Sequence, residues 1–239
     1  KDIDKAKTEF VSLASHQLRT PLSTVSWYTE MFLDGDVGKI TEKQKKYLKE
    51  IYTSNQRMVE LVNALLNVSR LELGTFVVEP EPTDIIKLTE SVLGEQKPQI
   101  NKRKLKVSMV FDKTMPLIPA DQKLLRMVVQ NLLSNAVKYT PEDGKIEFSI
   151  SLDKEKKNVL IKVSDTGYGI PQNQQNKIFT KLFRADNVKE KDTEGTGLGL
   201  YIVKSIIEHS GGKVWFRSEE NKGTTFYITL PLTGMPKKD

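Results

Sequence analysis

The run Ser15-His16-Gln17-Leu18-Arg19-Thr20-Pro21-Leu22 carries one imidazole in a helical setting. Neutral imidazole is a workable nucleophile at physiological pH because its ordinary pKa lies near neutrality. Residues 11–32 have helical apolar spacing, with a seam Leu18, Leu22, Val25, Thr29 and Phe32 that steps by four and three. His16 precedes Leu18 by two residues, about 200° around the helix. It is therefore predicted to point away from the seam, with Thr20 one turn further along the same face. Pro21 lacks an N–H and is expected to bend the helix just after the histidine.

A second set of polar residues lies far downstream. Asn131, Asn135 and Lys138 stand at i, i+4 and i+7, within one narrow helical face. Two amides and an ammonium there can hold a hydrated cation and a polyphosphate, or form a plain solvated face. Mg²⁺ suits the first reading because it prefers oxygen ligands and keeps several waters. Opposite them Leu125, Val129, Leu132, Leu133 and Ala136 form the core-facing side.

Two glycine loops follow, Asp165-Thr166-Gly167-Tyr168-Gly169-Ile170 after an apolar strand and Gly195-Thr196-Gly197-Leu198-Gly199-Leu200 at a helix entrance. Glycines there let backbone N–H groups approach phosphates, aided by the helix dipole. The spacing is neither that of a dinucleotide-binding fold nor that of a Walker loop.

These groups need elements to hold them. A helix over residues 2–33 ends at the turn cluster 34–38, and Thr41 caps a second helix that Gly74 stops near Leu73. In that helix Ile51, Met58 and Leu65 form one heptad position and Ser54, Leu61 and Val68 another, while Leu48, Val62 and Leu66 widen the stripe. An antiparallel hairpin cannot bury so wide a stripe alone, which predicts a homodimeric four-helix bundle through residues 1–73. Residues 74–82, with two prolines, read as a linker. Residues 83–235 then mix helix and strand. Helices are predicted at 84–100, 121–139 and 198–209. Strands are predicted at 105–111, 146–152 and 159–163, with a closing hairpin at 213–230.

Composition removes several function classes. The 239 residues include no cysteine, which excludes disulfides and cysteine-ligated metals, and two histidines make a histidine-cluster metal site improbable. The net charge of +6 is spread along the chain without a dense basic block, so a solvated surface is expected rather than nucleic-acid or membrane contact. No run reaches the ~20 apolar residues of a membrane span. The chain begins at Lys1, and a fragment of a longer sensor is expected, working in the cytoplasm.

The octapeptide around His16 resembles the histidine box of sensor histidine kinases of two-component systems. The ordered downstream motifs resemble the ATP-binding domain of the GHKL class. Asn131-Leu-Leu-Ser-Asn135-Ala-Val-Lys138-Tyr139 is similar to the asparagine box, and residues 165–169 and 195–199 to the two glycine boxes. Ile178-Phe179-Thr-Lys-Leu-Phe183-Arg184 is similar to the phenylalanine box, and Gly223-Thr224-Thr225-Phe226 to the last turn of the pattern. The resemblance spans about residues 5–232.

It implies a dimeric helical-hairpin bundle followed by an α/β sandwich, ATP and Mg²⁺ as cofactors, and transfer of the γ-phosphoryl group to His16. The phosphoryl group then passes to an aspartate on a response-regulator receiver domain. It further implies that Asn135 coordinates Mg²⁺ with Asn131 beside it, that Lys138 meets phosphate, and that Tyr139 packs at the adenine. Asp165 would accept the adenine amine, and Gly167, Gly169, Ile170, Gly195, Thr196, Gly197, Leu198, Gly199, Leu200 and Thr225 would line the nucleotide. Residues 171–194 would form a lid, although a solvated loop reads identically, and Arg184 would approach the phosphates. Thr20 would help align water for dephosphorylating the regulator.

One position departs from the family pattern. Gln17 follows the histidine where the family commonly has Glu or Asp as proton acceptor, and an amide is no comparable base. A slowed kinase is expected. A catalytically impaired signalling scaffold, or a GHKL-type ATPase, are the alternatives. His209 is expected to cap its helix.

Overall fold

The computed structural model describes residues 2–74, 78–189 and 195–237; in the first helix, nothing is described of the side chains of residues 2–12, 15 and 16. The chain divides into two compact units, Lys1–Phe76 and Val77–Asp239.

The first unit is a hairpin of α1 (Asp2–Asp34) and α2 (Glu42–Glu72). Thr41 caps α2 through a full capping box with Gln44, in which each residue's side chain accepts from the other's backbone N–H. Gly74 follows its end with a φ of +63°. The helices are tied by Asn55, whose Nδ2 donates to Leu22 O and Ser26 Oγ, both at 2.7 Å. α1 runs through Pro21, whose missing N–H leaves the Gln17 carbonyl without its helical donor.

The predicted seam divides between two tasks. Thr29, Leu66, Val68 and Leu71 are buried within the hairpin, whereas Leu18, Val25, Phe32, Ile51, Met58 and Leu65 stay between 40 and 49 % exposed. That second set forms an open apolar face.

The second unit is a two-layer sandwich. Its main sheet has the order β2-β4-β5-β7-β6, from β2 (Lys106–Phe111), β4 (Lys145–Leu152), β5 (Asn158–Asp165), β6 (Lys213–Glu219) and β7 (Gly223–Pro231). β2 runs parallel to β4 and every other pair is antiparallel. Helices α3 (Ile85–Lys102), α4 (Gln122–Tyr139) and α6 (Gly199–His209) supply the other layer. Asp84 and Asp121 cap α3 and α4, each carboxylate accepting two N–H bonds from its own helix, and Asp121 a third from Glu79 N. The core lies between the layers, where Phe148, Ile150, Ile161 and Ile228 meet Leu125, Leu132, Val203 and Ile207.

The sequence reading missed the small sheet of β1 (Glu81–Thr83) with β3 (Ile118–Ala120). Three-residue strands carry almost no periodicity, and β1 overlaps the end of the stretch expected as linker. The short helix α5 (Asp186–Lys189) and a 3₁₀ turn at Gln172–Lys177 were likewise invisible.

Candidate functional site

Helix α4 presents its polar face at one end of the sandwich. Asn131 Nδ2 donates to Met127 O at 2.8 Å, and its Oδ1 lies where a Cβ on Gly199 would go. A side chain at residue 199 would displace the Asn131 amide. Of the two asparagines expected at a metal, only Asn135 has an amide with no partner among the described residues.

One turn further, two cations converge on the second glycine loop. A Cβ at Gly195 would stand 3.1 Å from Arg184 Nε and 3.4 Å from Lys138 Nζ. Lys138 Nζ also lies 5.8 Å from the Tyr139 ring centroid. Burial pushes the Tyr139 hydroxyl up, opposed by the charge of Arg184 and its hydrogen bond. Arg184 and Lys138 thus stand together at Gly195, although no charge pattern in the sequence pairs residue 184 with 138.

Beyond these cations the loop enters α6. Gly197 has a φ of +68° and fits against the backbone of Leu182 and Phe183, so the phenylalanine-box segment and the second glycine box pack as one piece. Leu198 is buried, and its N–H donates to Thr196 Oγ1 at 3.3 Å. Among the described residues no side chain accepts from the start of α6, next to Leu200, and a helix start of this kind favours an anion.

At the other side of the site stands Asp165, the last residue of β5. Its Oδ1 accepts from Gly167 N at 2.8 Å and Thr224 N at 3.2 Å, while Oδ2 accepts nothing among the described residues. Burial pushes its carboxyl up to about 6, against the two backbone hydrogen bonds. Such a group is a half-buried acceptor with one open lone-pair face. Tyr168 N donates to Tyr139 O at 3.1 Å, which ties the first glycine loop to the end of α4. Gly169, with a φ of +63°, lies against the Glu219 carbonyl, and Ile170 N donates to Ser218 Oγ at 2.9 Å.

Thr225 is a correction. Paired residues of an antiparallel ladder share a face, and Asp165 pairs with Thr224 whereas Ser164 pairs with Thr225. Thr225 therefore faces away from Asp165, with its Oγ1 2.8 Å from Ser164 Oγ. Thr224 takes its place beside the carboxylate, buried and joined through its hydroxyl to Ser218. The register with β5 is the missing signal, because two adjacent threonines look alike in sequence.

The expected lid is only partly described. Residues 171–189 contain packed structure, with Ile178, Ala185 and Val188 buried and Asn187 Nδ2 donating to Gly169 O at 3.1 Å. Residues 190–194 lie outside the described residues. His209 Nδ1 is 2.7 Å from Ser205 O in the last turn of α6. In the hairpin unit Gln17 and Thr20 are exposed on α1, and the expected outward direction of His16 concerns a side chain outside the described residues.

Comparison with known proteins places this arrangement. Residues 120–234 match the family described as histidine kinase-, DNA gyrase B- and HSP90-like ATPase, and residues 6–74 match the His Kinase A phospho-acceptor domain. A solved catalytic domain of the histidine kinase ThkA is 30 % identical, with a TM-score of 0.52 over 61 % of this chain and 92 % of that one. The chain belongs to the histidine kinase family. Among histidine kinases with curated names, CikA of Synechococcus elongatus, a circadian input-output histidine kinase, is 33 % identical over 95 % of this chain and 30 % of its own length. The sensor histidine kinase WalK of Bacillus subtilis is 32 % identical over 96 % and 37 %. The chain thus spans about a third of the length of these relatives. Full-length ShkA in complex with AMPPNP superposes with a TM-score of 0.79 at 27 % identity, over 97 % of this chain and 47 % of that one. ThkA in complex with the response regulator protein TrrA gives 0.64 at 25 %, over 94 % and 61 %.

Proposed function

We infer that this chain is the catalytic core of a sensor histidine kinase that moves the γ-phosphoryl group of ATP to His16 and then to an aspartate of a response-regulator receiver domain. One observation carries the nucleotide half: a half-buried carboxylate with an open acceptor, Asp165, stands in the same unit as the cation pair Lys138 and Arg184 at Gly195. The first suits the exocyclic amine of adenine and the second a polyphosphate. The ShkA complex holds AMPPNP and the ThkA complex a response regulator, which supports ATP as donor and a receiver domain as acceptor.

In the proposed transfer an imidazole nitrogen of His16 forms a bond to the γ-phosphorus as the bond to the ADP oxygen breaks, and the imidazole proton leaves to a base. Lys138 and Arg184 offset the charge on the phosphates. Among the described residues no three acidic or histidine side chains gather into a cage of their own, so Asn135 fits a Mg²⁺ shared with phosphates and water. Bound there, the ion would neutralise charge on the transferring group. Thr20 is assigned to regulator dephosphorylation, and Gln17 favours a second reading, a kinase-impaired scaffold that keeps the nucleotide site.

The open face of the hairpin supports a homodimer through residues 1–73. It includes an apolar groove of about 600 Å³ lined by Pro21, Leu22, Val25, Tyr47, Ile51 and Met58. A second hairpin would bury it. Among the described residues no helix is long and apolar enough to cross a membrane; a cytoplasmic site of action and the boundaries 1–73, 74–82 and 83–235 are part of this proposal.

Incubation with Mg²⁺ and γ-labelled ATP tests it, with His16→Ala and Asn135→Ala beside the parent chain. An acid-labile, base-stable label that both variants lose is the expected result. ATP binding without any label would leave the scaffold.

A further inference from the structure

Arg103 ends α3 as its C-cap, next to Lys104 with its φ of 54°. From there its Nη1 donates to three carbonyl oxygens, those of Val137 at 2.7 Å, Lys138 at 2.5 Å and Thr140 at 3.1 Å. These belong to the end of α4, where helix geometry supplies no further N–H partner. The guanidinium also stands at the negative end of the helix dipole, where a cation is favoured. The remaining carbonyl of this stretch, on Tyr139, is taken by the Tyr168 N–H of the first glycine loop. Residues 137–140 thus have every carbonyl held from outside the helix. Asp143 N donates to Arg103 O at 3.2 Å, which fastens the following turn to the same residue.

The last turn carries Lys138 and Tyr139, both in the site described above, beside the buried Ala136 and Val137. We propose that Arg103 is a positioning residue of the nucleotide site. Gripping three carbonyls fixes the rotation of the last turn of α4, and with it the place of Lys138 Nζ at the phosphate end. Arginine suits the task because its guanidinium is always charged and less strongly hydrated than a lysine ammonium, so it is more easily held against carbonyls. The inference rests on the nucleotide reading of the site.

Arg126 provides an internal control. It too ties α3 to α4, through Glu95 Oε1 and through Ser91 Oγ at 3.3 Å, but more exposed and in the first half of α4. Affinities for ATP and for adenosine, with melting temperatures, are measured by calorimetry on the intact chain and on R103M, R103K and R126M. Charged hydrogen bonds of this strength lead us to expect R103M to lose about tenfold in ATP affinity and R103K about threefold, with adenosine affinity unchanged in each. R126M should leave both affinities in place. A purely structural Arg103 would lower the melting temperature and keep the ratio of ATP to adenosine affinity. That ratio unchanged in R103M, or in R103K should R103M not fold, overturns the proposal. A parent chain that binds neither ligand overturns the nucleotide reading, and this inference with it.

Discussion

Replacing Asp165 by Asn should make the second unit more stable and a worse nucleotide binder. The carboxyl is held at about 6 by burial, against an ordinary 3.8. A raised carboxyl favours the protonated form in the folded state, so the stability it confers is complete below pH 4 and is lost as pH rises towards 6. The rise of about two units corresponds to roughly 3 kcal/mol at about 1.4 kcal/mol per unit. Asn keeps an oxygen for Gly167 N and Thr224 N and never ionises, so it escapes that loss. The advantage of Asp165→Asn should therefore be flat below pH 4, grow by about 1.4 kcal/mol per pH unit between 4 and 6, and level off above. For a unit of this size that is a rise in melting temperature of about 6–12 °C at pH 7.5. Trp27 belongs to the first unit and Trp215 to the second, so a Trp27→Phe background lets Trp215 fluorescence follow the second unit alone. In the same variant the Asn amide nitrogen would face the adenine amine, donor against donor, and ATP affinity should fall by about tenfold or more. In the parent chain ATP affinity should weaken as pH drops through 6. A stability difference that does not change between pH 4 and 6 would refute the burial argument. Unchanged ATP affinity would remove Asp165 from the site.

Four further predictions concern the hairpin and the glycines. Gln17→Glu should speed labelling of His16, since a carboxylate can take the imidazole proton and an amide cannot; an unchanged initial rate contradicts that role. Thr20→Ala should lower regulator dephosphorylation more than labelling, and equal losses would end its assignment. Gly94 in α3 has nothing within 4 Å of an added Cβ, so Gly94→Ala should stabilise by about 0.5–1 kcal/mol in denaturant unfolding. Gly169→Ala, at a φ of +63° against the Glu219 carbonyl, should cost about 2 kcal/mol or more.

Much of this protein is local, and local features are legible in a sequence. Thr41 with Gln44, Asp84 and Asp121 announce their helices because a cap is chosen within three residues of the groups it satisfies. The alternation along 146–152 and 159–163 gives two strands and their buried faces for the same reason. The asparagine stripe and glycine loops stand out as a candidate phosphate site because glycine spacing and helix periodicity act over a few residues. Other features were settled only by packing between distant segments. Whether Thr224 or Thr225 stands beside Asp165 depends on the register of two strands 59 residues apart in sequence. Arg184 meets Lys138 only because Gly197 lets the second glycine loop seat on Leu182 and Phe183. Asp165 becomes a raised, half-open acceptor through burial, which no run of neighbours encodes. The sequence by itself determined the helices, the strands and the kinds of group available; the tertiary structure alone decided which of those groups share a surface, because desolvation and register are properties of contacts between segments.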